Sequence, residues 1–216
     1  MTVRILVVDD HAVVRRGVRS LLESHEGWEV CGEATTGRDA VAQTLRLHPD
    51  VVVMDLSLPE LNGFDATRQI LKAAPGTEVL VLTMHHSEEC AREVLQAGAR
   101  GYVLKGDADE YLIAAVDSLR QHRPFLTPTV TKLVLDDYIQ RGDGAKEGIA
   151  FGTATARERE IIQLLAEGKS NKEAAATLGI SVKTIEAHRA NIMRKLQLHS
   201  VSDLVRYAIR NKIVQP

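Results

Sequence analysis

The stretch that most constrains this chain is Asp50-Val51-Val52-Val53-Met54-Asp55, followed by Leu56-Ser57-Leu58-Pro59-Glu60-Leu61-Asn62-Gly63. A short apolar, β-branched run between turn-forming residues predicts a strand buried on both faces, as at the centre of a parallel sheet. Asp55 ends that strand. Open parallel sheets bind ligands in the crevice at the carboxyl ends of their strands, so an aspartate there is a candidate for chemistry. Taken alone it reads equally well as the start of a turn running through Pro59 and Gly63.

The rest of the first half repeats the pattern. Residues 3–8 are an apolar strand ending on Asp9-Asp10, and Val13, Val14, Val18, Leu21 and Leu22 then recur at helical spacing opposite Arg15, Arg16 and Arg19. Further strands are predicted over 28–34, 79–83 and 101–105, and further helices over 37–47, 64–73, 87–97 and 107–120. Five strand–helix alternations predict an α/β domain with a parallel sheet and right-handed crossovers. Gly17 and Gly37 are isolated, which excludes a dinucleotide-binding turn or a P-loop.

Asp9, Asp10, Asp55, Thr83 and Lys105 each end a strand, so the sheet brings them to one rim. Three close carboxylates repel unless a cation sits among them, and few hard oxygen ligands open to water suit Mg²⁺. A lysine ammonium and a threonine hydroxyl opposite would balance the charge of a phosphoryl group.

Composition narrows the setting. The chain has 216 residues, which suits one sizeable and one small domain; 44% hydrophobic and 26% charged residues mark an ordinary globular protein. No apolar run approaches the ~20 residues that span a bilayer, and the N-terminus enters a strand pattern without signal-peptide features, so a cytoplasmic protein without membrane contact is expected. Cys31 and Cys90 lack metal-like spacing and read as buried free thiols. The net charge of -2 hides an asymmetry: residues 153–216 carry eleven Lys and Arg against six Asp and Glu, which leaves 16 against 23 for the first 152. A basic second module is suited to an anionic polymer.

From residue 1 to about 120 the chain resembles the receiver domain of two-component response regulators, which implies a doubly wound, flavodoxin-like sheet of five strands. By that resemblance Asp55 is the phospho-acceptor, and Asp9, Asp10, Asp55 and the backbone carbonyl of Ser57 hold Mg²⁺. Thr83 is the switch hydroxyl, Lys105 the phosphate-pairing lysine, and Tyr102 the aromatic that follows the threonine. Ser57 and His85 occupy positions that tune phosphoryl lifetime. Met84 departs from the small residue usual after the threonine, and Gly106 from the proline common after the lysine.

Residues 121–128 are turn-rich, 129–140 read as a short helix, and Arg141-Gly142-Asp143-Gly144-Ala145-Lys146-Glu147-Gly148, with Gly152, as a flexible tether. The expected division is a receiver over 1–121, a linker over 122–152 and a helical domain over 153–216. In the last, Thr155 and Glu158 form a capping box, Gly168 and Gly179 end the first two helices, and Ser181 caps a third. Two helices joined through Leu178-Gly179-Ile180-Ser181 predict a helix-turn-helix, with a protein-binding three-helix bundle as the alternative that the basic charge disfavours.

Residues 155–208 resemble the LuxR-type DNA-binding domain through Arg157-Glu158-Arg159-Glu160, Ser170-Asn171-Lys172-Glu173-Ala174-Ala175, Lys183-Thr184-Ile185, His188, Asn191-Ile192 and Lys195-Leu196; Ala154 and Ala174 replace larger apolar residues. Together the halves resemble a NarL/FixJ-type response regulator. The resemblance implies Glu186, Ala187 and Ala190, with Lys183 nearby, at the major groove. Phosphate contacts are expected from Lys183, Thr184, Arg189, Arg194 and Lys195, with help from Ser170 and Asn171. The implied partners are a cognate sensor histidine kinase, double-stranded promoter DNA and, once phosphorylated, a second copy, the last helix serving as the dimer contact. A phosphatase with an aspartate nucleophile would need an Asp-x-Asp pair, and Asp55-Leu56-Ser57 lacks the second carboxylate, so no enzyme is expected. A relict receiver on a constitutive DNA binder is the remaining alternative.

Overall fold

The computed structural model describes residues 2–141 and 154–215. The chain divides into two compact units, with the boundary inside the undescribed segment. The tether expected over 141–152 lies, but for its first residue, outside the described residues.

The first unit alternates β1 (Val3–Val8), α1 (Ala12–Glu23), β2 (Trp28–Ala34), α2 (Gly37–Leu47), β3 (Val51–Met54), α3 (Gly63–Ala73), β4 (Glu78–Thr83), α4 (Glu88–Gln96), β5 (Gly101–Leu104), α5 (Ala108–Leu119), β6 (Phe125–Leu126) and α6 (Pro128–Arg141). Its strands form one parallel sheet in the order β2-β1-β3-β4-β5-β6. The chain therefore reverses direction across the sheet between β1 and β3, which opens a crevice at their carboxyl ends. Every residue of β3 and β4 is buried, which is why both read as continuous rather than alternating apolar runs. Ile5, Val51, Val53, Leu80, Leu82 and Val103 of the sheet pack with Leu22 of α1 and Leu112, Val116 and Leu119 of α5 in one core.

The five expected strands are present, and a sixth joins them. β6 comes from the turn-rich passage after α5 and pairs with β5 through Gly101 with Phe125 and Tyr102 with Leu126. Two residues are too few for a period to show in sequence. Residues expected as the start of a linker thus belong to the first unit: α6 packs against α4, and Thr127 and Val130 are fully buried.

The second unit contains α7 (Ala156–Ala166), α8 (Asn171–Leu178), α9 (Val182–Lys195) and α10 (Val201–Arg210). Thr155 with Glu158 and Ser170 with Glu173 form complete capping boxes, each satisfying two backbone amides at a helix start. Gly179 ends α8 in the left-handed region at φ 64°, where a side chain would be strained. Ile161, Ile162, Ala174, Leu178, Ile185, Ile192, Leu204 and Ala208 fill the core. Ala154 and Ala174, both smaller than expected for this position in the resembling family, pack in or against it.

At the start of α10, the Asp203 carboxylate accepts from the Ser200 hydroxyl at 2.9 Å and the His199 amide at 3.1 Å, and pairs with Arg206. Chiefly the Ser200 hydroxyl, then Arg206, lower its pKa to about 2. A depressed carboxylate stabilises the fold above its unfolded value, and that contribution is lost as pH falls through the folded one. NMR titration should place Asp203 near 2, and Ser200→Ala should raise it; an Asp203 titrating like a free aspartate would refute the cap.

Candidate functional site

Register builds the rim. β1 and β3 are neighbours with Val8 opposite Met54, so the next residues, Asp9 and Asp55, leave the sheet side by side. Thr83 pairs with Leu104, which brings Lys105 to the same edge as it enters a short 3-10 turn. The Lys105 Nζ lies 2.6 Å from Asp9 Oδ2 and 2.8 Å from Asp55 Oδ2. Both carboxylates are almost fully buried, with side-chain exposures of 5% and 3%. Their other oxygens are also held: Asp9 Oδ1 accepts from the His11 amide at 2.8 Å and Asp55 Oδ1 from the Leu56 amide at 2.7 Å. Burial alone would lower the Lys105 pKa, but hydrogen bonds and charge from Asp55 and Asp9 outweigh it and the net shift is upward. The ammonium is therefore a fixed charge at neutral pH.

Asp10 lies at the mouth, its side chain 36% exposed, with Oδ1 2.7 Å from His11 Nδ1. Asp9, Asp10, His11 and Asp55 each offer a ligand atom, all within 4.8 Å of one another. Three carboxylates with one side open to water fit a small hard cation that keeps part of its hydration shell. Neither His11 nor Arg15, whose guanidinium donates to the Asp9 backbone carbonyl at 2.8 Å, was singled out from sequence. Their only signal was proximity to the acidic pair.

The remaining predicted residues surround this centre. Thr83 is fully buried and its hydroxyl accepts from the His85 amide at 3.3 Å. The Ser57 hydroxyl meets His85 Nε2 at 3.1 Å, so Ser57 engages the β4–α4 loop. Tyr102 is fully buried, donating to the His85 carbonyl at 2.6 Å and to Cys90 Sγ at 3.4 Å. Burial first, then Cys90, pushes its hydroxyl far above the usual tyrosine range, so it remains a proton donor. A ring expected to move inward with Thr83 thus already lies inside. Met84, the departure from the small residue usual after the threonine, is 70% exposed. There is no cis peptide among the described residues, in keeping with Gly106 after Lys105.

The loop beyond Asp55 closes through Gly63, whose amide donates to the Leu56 carbonyl at 2.9 Å. A Cβ at Gly63 would lie 2.1 Å from the Asp55 carbonyl oxygen and 2.7 Å from Leu56 Cα. Backbone cannot yield as a flexible side chain can, so Gly63→Ala should cost about 1–3 kcal/mol, in the range of overpacking. Chemical denaturation measures it, and unchanged stability would show that the close approach is not real.

In the helical unit, Ile185 and Ile192 turn one side of α9 into the core. Lys183, Glu186, Ala187, Ala190 and Arg194 lie exposed on the opposite side, as three- and four-residue spacings require. Arg189 bridges to Asn171 of α8 at 3.4 Å. Ser170 is committed to its cap, and the Thr184 hydroxyl lies 2.8 Å from that of Ser181. Lys195 is bound at 2.7 Å to Glu158; burial opposes the Glu158 charge, but Lys195 and Thr155 prevail and its pKa falls. Both α8 and α9 are thus braced by residues expected to touch phosphate.

Known families match both units: the response regulator receiver domain over residues 5–117, and bacterial regulatory proteins of the luxR family over 153–208. The oxygen regulatory protein NreC of Staphylococcus carnosus is 39% identical over 214 residues, covering 98% of this chain and 99% of its own. Among solved structures, a LuxR-family two-component response regulator from Aurantimonas is 34% identical with a TM-score of 0.62, covering 64% of this chain and 99% of its own. RcsB from Salmonella enterica, solved bound to a promoter in the presence of the phosphomimetic BeF3-, is 28% identical with a TM-score of 0.60 over 96% of this chain and 98% of its own. A parallel sheet ending in an Asp9–Lys105–Asp55 cluster and a capped helix-turn-helix are therefore the two halves of one family, and this chain belongs to the LuxR-family two-component response regulators.

Proposed function

We propose that Asp55 is the input of this regulator. A cognate sensor histidine kinase donates a phosphoryl group to it, and the modified protein dimerises and binds a two-half-site promoter element. The observation that carries this reading is the Lys105 ammonium held between the buried carboxylates of Asp9 and Asp55. An Asp55 carboxylate oxygen attacks phosphorus as the bond to the kinase histidine nitrogen breaks, and the electron pair leaves on the imidazole. Asp9, Asp10, Asp55 and the Ser57 backbone carbonyl would hold Mg²⁺, which supplies charge neutralisation between carboxylates and phosphoryl oxygens. Lys105 exchanges a carboxylate partner for a phosphoryl oxygen without changing its own charge.

An acyl phosphate carries roughly two negative charges and three strong acceptor oxygens. Thr83 then donates to the phosphoryl group, and the His85 amide loses its acceptor. Tyr102, bonded to the carbonyl of that same His85, registers the change. This is how a local charge becomes a change of packing.

The output lies on the exposed side of α9. Glu186 accepts from a cytosine and the methyls of Ala187 and Ala190 touch thymine, while Lys183, Arg189 and Arg194 neutralise phosphates. Ser170, Asn171, Thr184 and Lys195 contribute at the edges of the interface, each from a position already fixed by a hydrogen bond. The related RcsB on promoter DNA supports this assignment. No helix among the described residues is long and apolar enough to cross a membrane.

Asp55→Asn should abolish labelling of the protein by acetyl phosphate; label retained elsewhere would reject Asp55 as acceptor. Lys183→Ala should weaken binding about equally on all DNA sequences and flatten the slope of log affinity against log salt by about 1. Glu186→Ala should instead relax the preference at one base pair, an effect of about 1–3 kcal/mol. Competition binding on operator and random DNA separates the two outcomes, and sequence-selective loss in the Lys183 variant would overturn the phosphate role.

A further inference from the structure

We propose that Arg15 is a positioning residue for the cation site: its guanidinium ties the Asp9–Asp10 peptide to Glu33 of β2 and so aims Asp10, the acidic ligand that the sheet leaves loose. The inference rests on the Mg²⁺ reading above.

The three carboxylates are not equally secured. The Asp9 amide donates to the Ala34 carbonyl at 3.2 Å, and its carboxylate oxygens are taken up by the His11 amide and by Lys105. Asp55 is held in the same way, its amide donating to the Val8 carbonyl at 2.9 Å and its carboxylate engaged by Lys105 and the Leu56 amide. Asp10 lies two residues past the end of β1, and its carboxylate pairs with the ring of His11, whose side chain is 67% exposed. A pair so open to water holds little.

What fixes Asp10 is its backbone. The Asp9 carbonyl shares one planar peptide with the Asp10 amide and Cα, so a bond that orients this carbonyl narrows the directions open to the Asp10 carboxylate. Arg15 Nη1 donates to that carbonyl at 2.8 Å, and Arg15 Nε donates to Glu33 Oε2 at 3.2 Å. A guanidinium is a rigid planar fork, which makes both bonds in a set geometry. The far end of the brace is itself anchored. Glu33 pairs in register with Val7 of β1, its Oε1 accepts from Arg19 at 2.9 Å, and its backbone carbonyl accepts from Gln43 at 2.6 Å. The Arg19 bond first, with Arg15 adding to it, outweighs burial and holds the Glu33 carboxyl below its usual range. Glu33 therefore offsets the Arg15 charge, and the brace adds little repulsion toward a cation. Mg²⁺ demands near-octahedral ligands at about 2.0–2.1 Å, so an Asp10 free to swing would weaken its hold.

The test is metal binding to the full chain without a phosphodonor, read by loss of the free Mn²⁺ electron paramagnetic resonance signal with Mg²⁺ as competitor. Arg15→Ala should weaken binding about tenfold, the lower end of the range for groups that hold metal ligands in place. A purely electrostatic role has the opposite sign, since deleting a positive charge near the site should tighten a cation. Arg15→Lys, which keeps the charge and loses the fork, should weaken binding by about as much, and it carries the test if Arg15→Ala fails to fold when melted in EDTA. Arg16→Ala, which removes the same charge from an exposed position on α1, should not weaken it. In labelling by acetyl phosphate, the Arg15 variants should raise the Mg²⁺ concentration for half-maximal rate by the same factor, and by more than they lower the maximum. Native affinity in a folded Arg15→Ala or Arg15→Lys would overturn the brace and leave the Mg²⁺ reading standing. Metal binding that is equal in the native protein and in Asp10→Asn would overturn both.

Discussion

Two carboxylates buried side by side would repel, and a single ammonium keeps them together. Lys105 stands within hydrogen-bond distance of both Asp9 and Asp55. The sheet order makes the pairing possible: β1 and β3 are adjacent only because the chain reverses direction across the sheet, and β5 reaches the same edge two strands away. Desolvated charges are costly unless they are paired and hydrogen-bonded. Here the backbone amides of His11 and Leu56 complete the pairing. The arrangement is stable as it stands, yet every interaction in it is one that an added phosphoryl group would redistribute.

The site is connected outward through one loop. His85 contacts Ser57 through its ring, Thr83 through its amide and Tyr102 through its carbonyl. Such a hub on a short loop between a buried strand and a helix is easier to reposition than the strand itself. The helical unit has the opposite character: capping boxes and an ion pair hold α7, α8 and α9 rigid. The exposed side of α9, the surface proposed to face the groove, is presented preformed. Under the proposed switch, control would act on where and in what company this surface meets DNA, and not on its shape.

Much of this was legible in the linear chain because the relevant signals are local. Continuous apolar runs at 51–54 and 79–83 announced doubly buried strands, and the polar residues that end them stood out for that reason. Thr-x-x-Glu at Thr155 announced a helix start, while the matching box at Ser170 and Glu173 is shown by the fold. β6 leaves no signal in the sequence because two residues carry no period, and α6 reads as part of a linker because packing against α4 leaves no mark on spacing. His11, Arg15 and Cys90 were passed over as site neighbours: each acts through distance in space to Asp9, Asp10 or Tyr102. Thr184 and Lys195 are ordinary polar residues in sequence, and only the fold shows their side chains already engaged by Ser181 and Glu158.

The strand ending in Asp55, the acidic pair at Asp9 and Asp10, the helix-turn-helix and the opposite charges of the two halves were determined by sequence alone, since each depends on neighbours along the chain. Tertiary structure decided that Lys105 bridges two carboxylates, that Tyr102 is bonded to both a loop and α4, and that β6 and α6 close onto the receiver. Those facts depend on strand order and register, which bring together residues some fifty or more positions apart, as with Asp55 and Lys105.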